Sequence, residues 1–447
     1  MKPVLDYFAR LAIVTILFPG CGGGGGGGGA GPGGPSSGGF FPGFGTGGVV
    51  LGDPLGPMGN ATSIAIDSTW MYVAGSDPNI AQQGWRIEKR GLLDGALDPG
   101  FGTGGSVISD PTINFDYAFA IALDGGSIYV GGVQNAGADQ AWRIEKRSAA
   151  TGAPDPTFGG GTGVVTVNPT TVTDTLSALA VNGGAIFVVG YEGNPAPPGT
   201  DVQWRIEKRS ASTGALDGVF GVGTGIVRSN PGTAQDEARA VALDGTSIYV
   251  AGLQHLNSGD YAWRIEKRDR GTGALDGTFG TGSGAVTSNP SSNSYDEAQE
   301  LSLSGSSLFI AGTHEFSSDR QWRLEKRDTG TGTLDPVFGG GTGFVTSNSG
   351  TVNEAPAGSV LVDGAFVYVA GWYDGTALLD IAWRIEKRDA STGALVPSFG
   401  NGGAVTSDPT TGQDHLNGMA FDSTALYAVG YQSDGPGIRR RIEKRLK

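Results

Sequence analysis

Hydrophobic and polar positions alternate with a period of two over several short runs, which is the signature of half-buried β-strands rather than helices. One run is Ala118-Phe119-Ala120-Ile121-Ala122-Leu123, which ends at an Asp124-Gly125-Gly126 turn and leads into Ser127-Ile128-Tyr129-Val130. A third run, Trp142 to Arg147, precedes Phe158-Gly159, and a fourth covers Gly163 to Val167. Tight Asp-Gly turns favour antiparallel hairpins, because Gly accepts positive φ. Each unit is therefore four antiparallel strands in about sixty residues.

The unit recurs along the chain. Trp-Arg-Ile-Glu-Lys-Arg begins at Trp85, Trp142, Trp204, Trp263 and Trp383, Trp322 opens a Leu variant, and Arg440 replaces Trp in the last copy. Phe-Gly recurs at Phe44, Phe101, Phe158, Phe220, Phe279, Phe338 and Phe399, with spacings of 57 to 62. Both markers occur seven times. Seven four-stranded units predict an all-β fold, a seven-bladed β-propeller, where radial closure removes most open sheet edges. The rungs of a β-helix are much shorter than this period. The chain ends on a third strand, Arg441 to Arg445, while a lone strand around Gly48 to Leu51 follows the first Phe-Gly. That N-terminal strand should complete the last blade and close the ring.

Composition adds export and tethering to this picture. Glycine makes up 81 of 447 residues with no Gly-X-Y period, so collagen is excluded and the excess marks turns throughout the repeat. Residues 1–20 read as an export signal, with Lys2, Arg10 and an apolar run from Leu11 to Phe18 that is too short to span a bilayer. Cys21, the only cysteine, follows directly and is succeeded by Gly22 to Gly29 and a Gly/Pro/Ser stretch to Gly39. This arrangement resembles a bacterial lipoprotein signal, which implies lipidation of Cys21, although Phe18 and Pro19 depart from the usual residues there. Gly22 rather than Asp after the cysteine would favour the outer membrane or cell surface, with ordinary secretion as the alternative. The expected organisation is signal 1–20, tether 21–39 and propeller 40–447.

The stretch Thr272-Gly273-Ala274-Leu275-Asp276-Gly277-Thr278-Phe279-Gly280, with Ser-Ile-Tyr-Val-Ala-Gly at 247–252, resembles the bacterial delta-60 repeat. Leu-Asp-x-x-Phe-Gly also begins at Leu97 and Leu334, with Pro154 and Val396 as departures. The resemblance covers residues 40–447 and implies a β-propeller in an envelope or secreted protein. It implies no single activity.

The copies can be compared with one another. From Trp to the next Phe-Gly is always 16 residues, and Asp67 to Tyr72, Asp124 to Tyr129, Asp244 to Tyr249 and Asp422 to Tyr427 are each five apart. The second-to-third loop, by contrast, varies from 10 to 14 residues and the Phe-to-aromatic interval from 28 to 30. In a propeller these variable connections share one face, and loops on a rigid scaffold carry function. Tyr191-Glu192, His255, His314-Glu315, Trp372-Tyr373-Asp374 and Tyr431 lie there and are candidates for stacking on a glycan or contacting a protein. Asp116, Asp174, Asp236, Asp296 and Asp414 each lie eight residues before the first turn. They could ring the channel mouth and attract Ca²⁺ or a cationic ligand, or each could accept backbone N–H bonds in its own connection, the reading that repetition favours.

Charge excludes one class of partner. The Trp-Arg-Ile-Glu-Lys-Arg copies hold 21 of the 30 basic residues, where alternation lets Arg143, Glu145 and Arg147 pair on one side while Trp142 and Ile144 pack on the other. A net charge of −14 argues against nucleic-acid binding. Only His255, His314 and His415 exist, without a metal-ligand spacing, and no Gly-x-Ser-x-Gly nucleophile signal is present. The expectation is a monomeric, non-enzymatic binding or scaffold propeller that recognises a glycan or an envelope protein and touches the membrane through its lipid alone. The alternative is an extracellular polysaccharide hydrolase or lyase using carboxylates on the same face.

Overall fold

Among the described residues of the computed structural model, seven separate sheets of four strands each hold all the β-strands, and each sheet runs in sequence order except the one that joins the two ends of the chain. The residues described are 37–52, 59–77, 84–112, 114–135, 137, 139–171, 174–193, 201–257, 259–292, 294–316, 319–348, 354–374, 380–434 and 437–447. The export signal, Cys21 and tether residues 21–36 lie outside them. Blade one is typical, with strands Ala61–Ile66, Trp70–Asp77, Gly84–Gly91 and Ser106–Ser109 paired antiparallel in that order. The innermost strand of each blade touches the innermost strand of both neighbours, and the seventh touches the first, so the ring is closed.

Closure follows the predicted route. Val49–Leu51 pairs antiparallel with the last strand, Gly437–Leu446, placing Val49 opposite Glu443 and Leu51 opposite Arg441. The clasp begins earlier than composition suggests. Ser37 Oγ donates to the Lys447 carbonyl at 2.8 Å, and Gly38 N to the Leu446 carbonyl at 2.8 Å, so the last three residues assigned to the tether are part of the fold.

The core lies between blades. Trp85, Ile87 and Phe101 of blade one pack with Ala118, Ile121, Ile128 and Val130 of blade two. Phe158 meets Tyr129 edge-on at 6.3 Å, and the same Phe–aromatic pair recurs around the ring. The glycine after each Phe is forced by the turn: Gly159 has φ 59, and a Cβ there would lie 1.8 Å from the Val164 carbonyl oxygen.

The basic ladder is structural. Glu145 is fully buried and takes a guanidinium on each oxygen, Arg143 and Arg147 both at 2.7 Å. Burial alone would raise its pKa, but Arg147 and Arg143 overcome that and hold the carboxyl below its usual range. In five blades a serine from the preceding outer strand completes the site, as Ser109 Oγ does for Glu145 at 2.5 Å.

Candidate functional site

Strand order places the first-to-second and third-to-fourth turns at one end of the ring and the variable connections at the other. At the variable end the five repeated aspartates are all fully buried. Asp116 accepts from Thr112 N at 3.1 Å and Thr112 Oγ1 at 3.0 Å in its own connection, and from Asn135 N at 2.8 Å at the end of the second strand. Asp174 repeats this with Thr170 and Gly193, Asp296 with Ser291 and Glu315, and Asp414 with Thr410 and Ser433. Asp236 takes Gly232 N at 2.7 Å and His255 N at 2.8 Å. Each carboxylate thus clamps the interblade connection to the adjacent hairpin. Burial raises their pKa values despite these bonds, to about 6 for Asp174, Asp236 and Asp414.

A carboxylate ring for Ca²⁺ is therefore not assembled. Every aspartate spends its oxygens on N–H groups, and in four cases a hydroxyl, of its own connection and hairpin, and among the described residues no group of three or more His, Cys, Asp or Glu side chains is placed to hold a metal ion. Among the described residues the histidines join no such group either. Burial pushes His415 down to about 3, and burial followed by Arg323 pushes His314 down to about 4.

The predicted aromatics divide in two. Tyr191 and Tyr431 are only 3% and 5% exposed, so they form walls rather than a contact surface. The strand alternation turns them inward, which the loop-based reading did not consider. Trp372 and Tyr373 are half-buried, and Trp372 lies 5.1 Å from the His415 ring, which stacks on Tyr431 at 4.9 Å.

The sequence reading missed a second aromatic array. Tyr261 sits 5.0 Å from His255 and 4.9 Å from Tyr295, and the Arg320 guanidinium lies 5.3 Å from the other ring of that pair, Tyr295. All four are half-buried. Phe316, 64% exposed, and Phe115, 46% exposed, occupy the same face. It also missed the axial positions. Just inside the aspartate clamps the innermost strands carry Tyr117, Thr175, Glu237, Glu297 and His415, and a register slip next to them presents Thr62, Phe119, Ser177, Arg239, Gln299 and Asn417. These positions change chemistry from copy to copy while their surroundings repeat, and aligning the five copies that carry the aspartate exposes most of them.

The opposite face offers less. A groove there is lined by Val219, Val222 and Arg268, but Arg268 is already held by Glu266 at 2.7 Å and by the Gly273 carbonyl at 2.8 Å.

No protein-family profile and no curated protein sequence matches the chain. Similar solved structures include the β-propeller domain of the Trilobed protease from Pyrococcus furiosus, at 10% identity and TM-score 0.45, covering 88% of this chain and 96% of that one. The polysaccharide lyase Uly1 matches at 10% identity and TM-score 0.47 (88% and 90% covered), and Sqt1 from Chaetomium thermophilum at 11% and 0.45 (88% and 98% covered). None of their activities transfers to this chain at such similarity, and the blade count rests on the strand pairing alone.

Proposed function

We propose that the chain is a non-enzymatic binding propeller of the cell envelope that holds a glycan on its variable face. The observation that carries this reading is the presence of non-repeated aromatic and polar side chains at one end of an otherwise repeated scaffold, with half-buried Tyr261 against Tyr295 and half-buried Trp372 against His415. Aromatic faces beside buried polar groups suit pyranose rings, which present C–H faces and hydroxyl edges.

The route of the chain supports a tethered arrangement. The Ser37 carbonyl accepts from Gly400 N at 2.9 Å, in the third-to-fourth strand turn of blade six, so the polypeptide enters the fold on the invariant face. Attachment through lipid on Cys21 would then leave the variable face pointing away from the bilayer. No helix among the described residues is long and apolar enough to cross a membrane.

The test is a screen of the purified chain against immobilised polysaccharides, with chromatography of any products. Retention without cleavage supports the proposal. Turnover would replace it with a hydrolase or lyase, and absence of retention on every glycan would end it.

A further inference from the structure

The axial seam between blades four and five departs furthest from the repeat. In two blades the residue at the register slip donates to a carbonyl of the next innermost strand: Thr62 Oγ1 to Ala118 at 2.7 Å, and Asn417 Nδ2 to Ala61 at 2.8 Å. Arg239 stands at that position in blade four, 5% exposed. Its guanidinium instead bridges Glu237 on its own strand and Glu297 on the next, each at 2.5 Å. Burial opposes that charge, but the two carboxylates outweigh it and keep the guanidinium protonated. Even so, buried Nη1 has no hydrogen-bond partner, and neither have Thr175 Oγ1 and Ser177 Oγ on the preceding innermost strand or Gln299 Oε1 on the following one. Four such atoms on three adjacent innermost strands are left for water or a ligand to meet. Gln299 and Tyr295, at the edge of the cluster, are half-buried.

The chemistry of these atoms selects a ligand class. Arg239 Nη1 can only donate, Gln299 Oε1 can only accept, and the two hydroxyls can do either. A ligand hydroxyl serves all of them. An anion would pair with Nη1 but face the carboxylates of Glu237 and Glu297, which leave the triad with net negative charge. A cation would meet a guanidinium already seated between the two carboxylates. Tyr295, 4.9 Å from Tyr261, adds a flat apolar surface next to the seam.

We propose that this stretch of the axial wall, from blade three to blade five, is the subsite for one unit of a neutral oligosaccharide, whose hydroxyls pair with Thr175, Ser177, Arg239 and Gln299. The proposal rests on the glycan reading above and adds a position and a charge class: uncharged sugars are taken and polyuronates are refused.

Titration calorimetry of the full chain with cellohexaose, laminarihexaose and chitohexaose, and with hexagalacturonate as the anionic probe, tests it. Thr175→Val and Ser177→Ala remove hydroxyls that the free protein leaves unpaired, so the thermal midpoint should stay level or rise. Together they should weaken binding of the neutral probe by about five- to tenfold. A purely structural role would instead lower the midpoint and spare affinity. If a neutral hexasaccharide binds and the double variant binds it equally well, the seam assignment is overturned while the glycan reading stands. Preferential binding of hexagalacturonate overturns the charge class. Failure of all four probes to bind the wild type overturns the glycan reading and the subsite with it.

Discussion

Arg440 reaches across the seam between the last and first blades and sets Nη1 2.5 Å from Glu88 Oε1. It occupies the place of the repeated tryptophan. In five other blades the indole N–H at that place donates to a second-strand carbonyl of the next blade, as Trp85 does to Val133 at 3.2 Å. Arg440 Nη2 keeps that bond, to Ser76 at 3.0 Å, while Nη1 supplies Glu88 with a third guanidinium beside Arg86 and Arg90. The third guanidinium stands in for a serine cap, because the outer strand before Glu88 is the clasp Val49–Leu51, which contains no serine. Burial would raise the Glu88 pKa, but Arg440, Arg90 and Arg86 drive it far below the carboxylate range.

Arg440→Ala should therefore destabilise the fold by about 3 kcal/mol, since it removes one partner of a buried ion pair and leaves a void. Arg440→Trp should lose less, because it restores the indole bond and leaves Glu88 with the two guanidiniums that suffice elsewhere. Urea unfolding of the three proteins decides. A loss below about 0.5 kcal/mol for the alanine variant would show that the seam is held by something else.

The clasp itself is testable by deletion. Without residues 37–52 the last strand loses its partners at Val49 and Leu51 and the Ser37 bond to Lys447. Amide exchange should then accelerate in residues 441–446 and in the first innermost strand. Unchanged protection there would mean that the ring closes through side chains alone.

Much of this architecture was legible because seven copies average out local ambiguity. The blade count, the strand order and the closing strand all follow from Phe-Gly and Trp-Arg-Ile-Glu-Lys-Arg read against period-two alternation. The site was less legible, for a reason the aspartates make plain. Asp236 recurs because it clamps backbone, so the repeat marked fold rather than function. Loop spacing places Tyr191 in a variable connection, yet it pairs with Trp204 and Thr175 inside the sheet and faces inward. Arg239 was invisible from the opposite direction. It stands inside a strand, and only the register slip and the ring closure bring Glu237 and Glu297 to it.

Asp236→Asn tests the clamp. The amide keeps one acceptor oxygen, but its NH₂ group must face an N–H donor at Gly232 or His255. The expected cost is about 1–3 kcal/mol, with faster amide exchange at both positions. Loss of binding with neither effect would return the residue to the ligand site.

Stability should depend on pH in two opposed windows. Asp174, Asp236 and Asp414 titrate near 6 in the fold against 3.8 unfolded, so the folded chain binds the proton more tightly. Their contribution grows as pH falls from about 6 toward 4 and is lost as pH rises through 6. Glu88, Glu145, Glu266, Glu325 and Glu443 are shifted below 4.5, so theirs is present above that value and is lost as pH falls through the lowered pKa values. His314 and His415, pushed down from 6.5 to about 4 and about 3, act the other way, because the unfolded chain takes up their protons first as pH falls, so they offset much of the aspartates' gain between pH 7 and 5. In a His314→Gln, His415→Gln variant that offset is gone, and the thermal midpoint should climb from pH 7 to 5 and drop below about 4; a profile of that variant that is flat between 7 and 5 would mean that hydrogen bonds to the aspartates outweigh their burial.

The aromatic array separates the two faces of the molecule. Tyr295 touches Tyr261 and Arg320 and is half-buried, so Tyr295→Ala removes a stacking surface without opening the interblade core. Weakening of glycan retention by about tenfold is expected, with less than 1 kcal/mol lost in stability. Val222 provides the control. It is fully exposed on the invariant face and holds φ 57, a conformation that a β-branched residue adopts only under strain. Val222→Gly should therefore stabilise the turn slightly and leave retention unchanged. If the Val222 variant loses retention and the Tyr295 variant keeps it, the ligand sits on the wrong end of the ring for everything argued from Arg239 and Tyr295, and the invariant face becomes the binding surface.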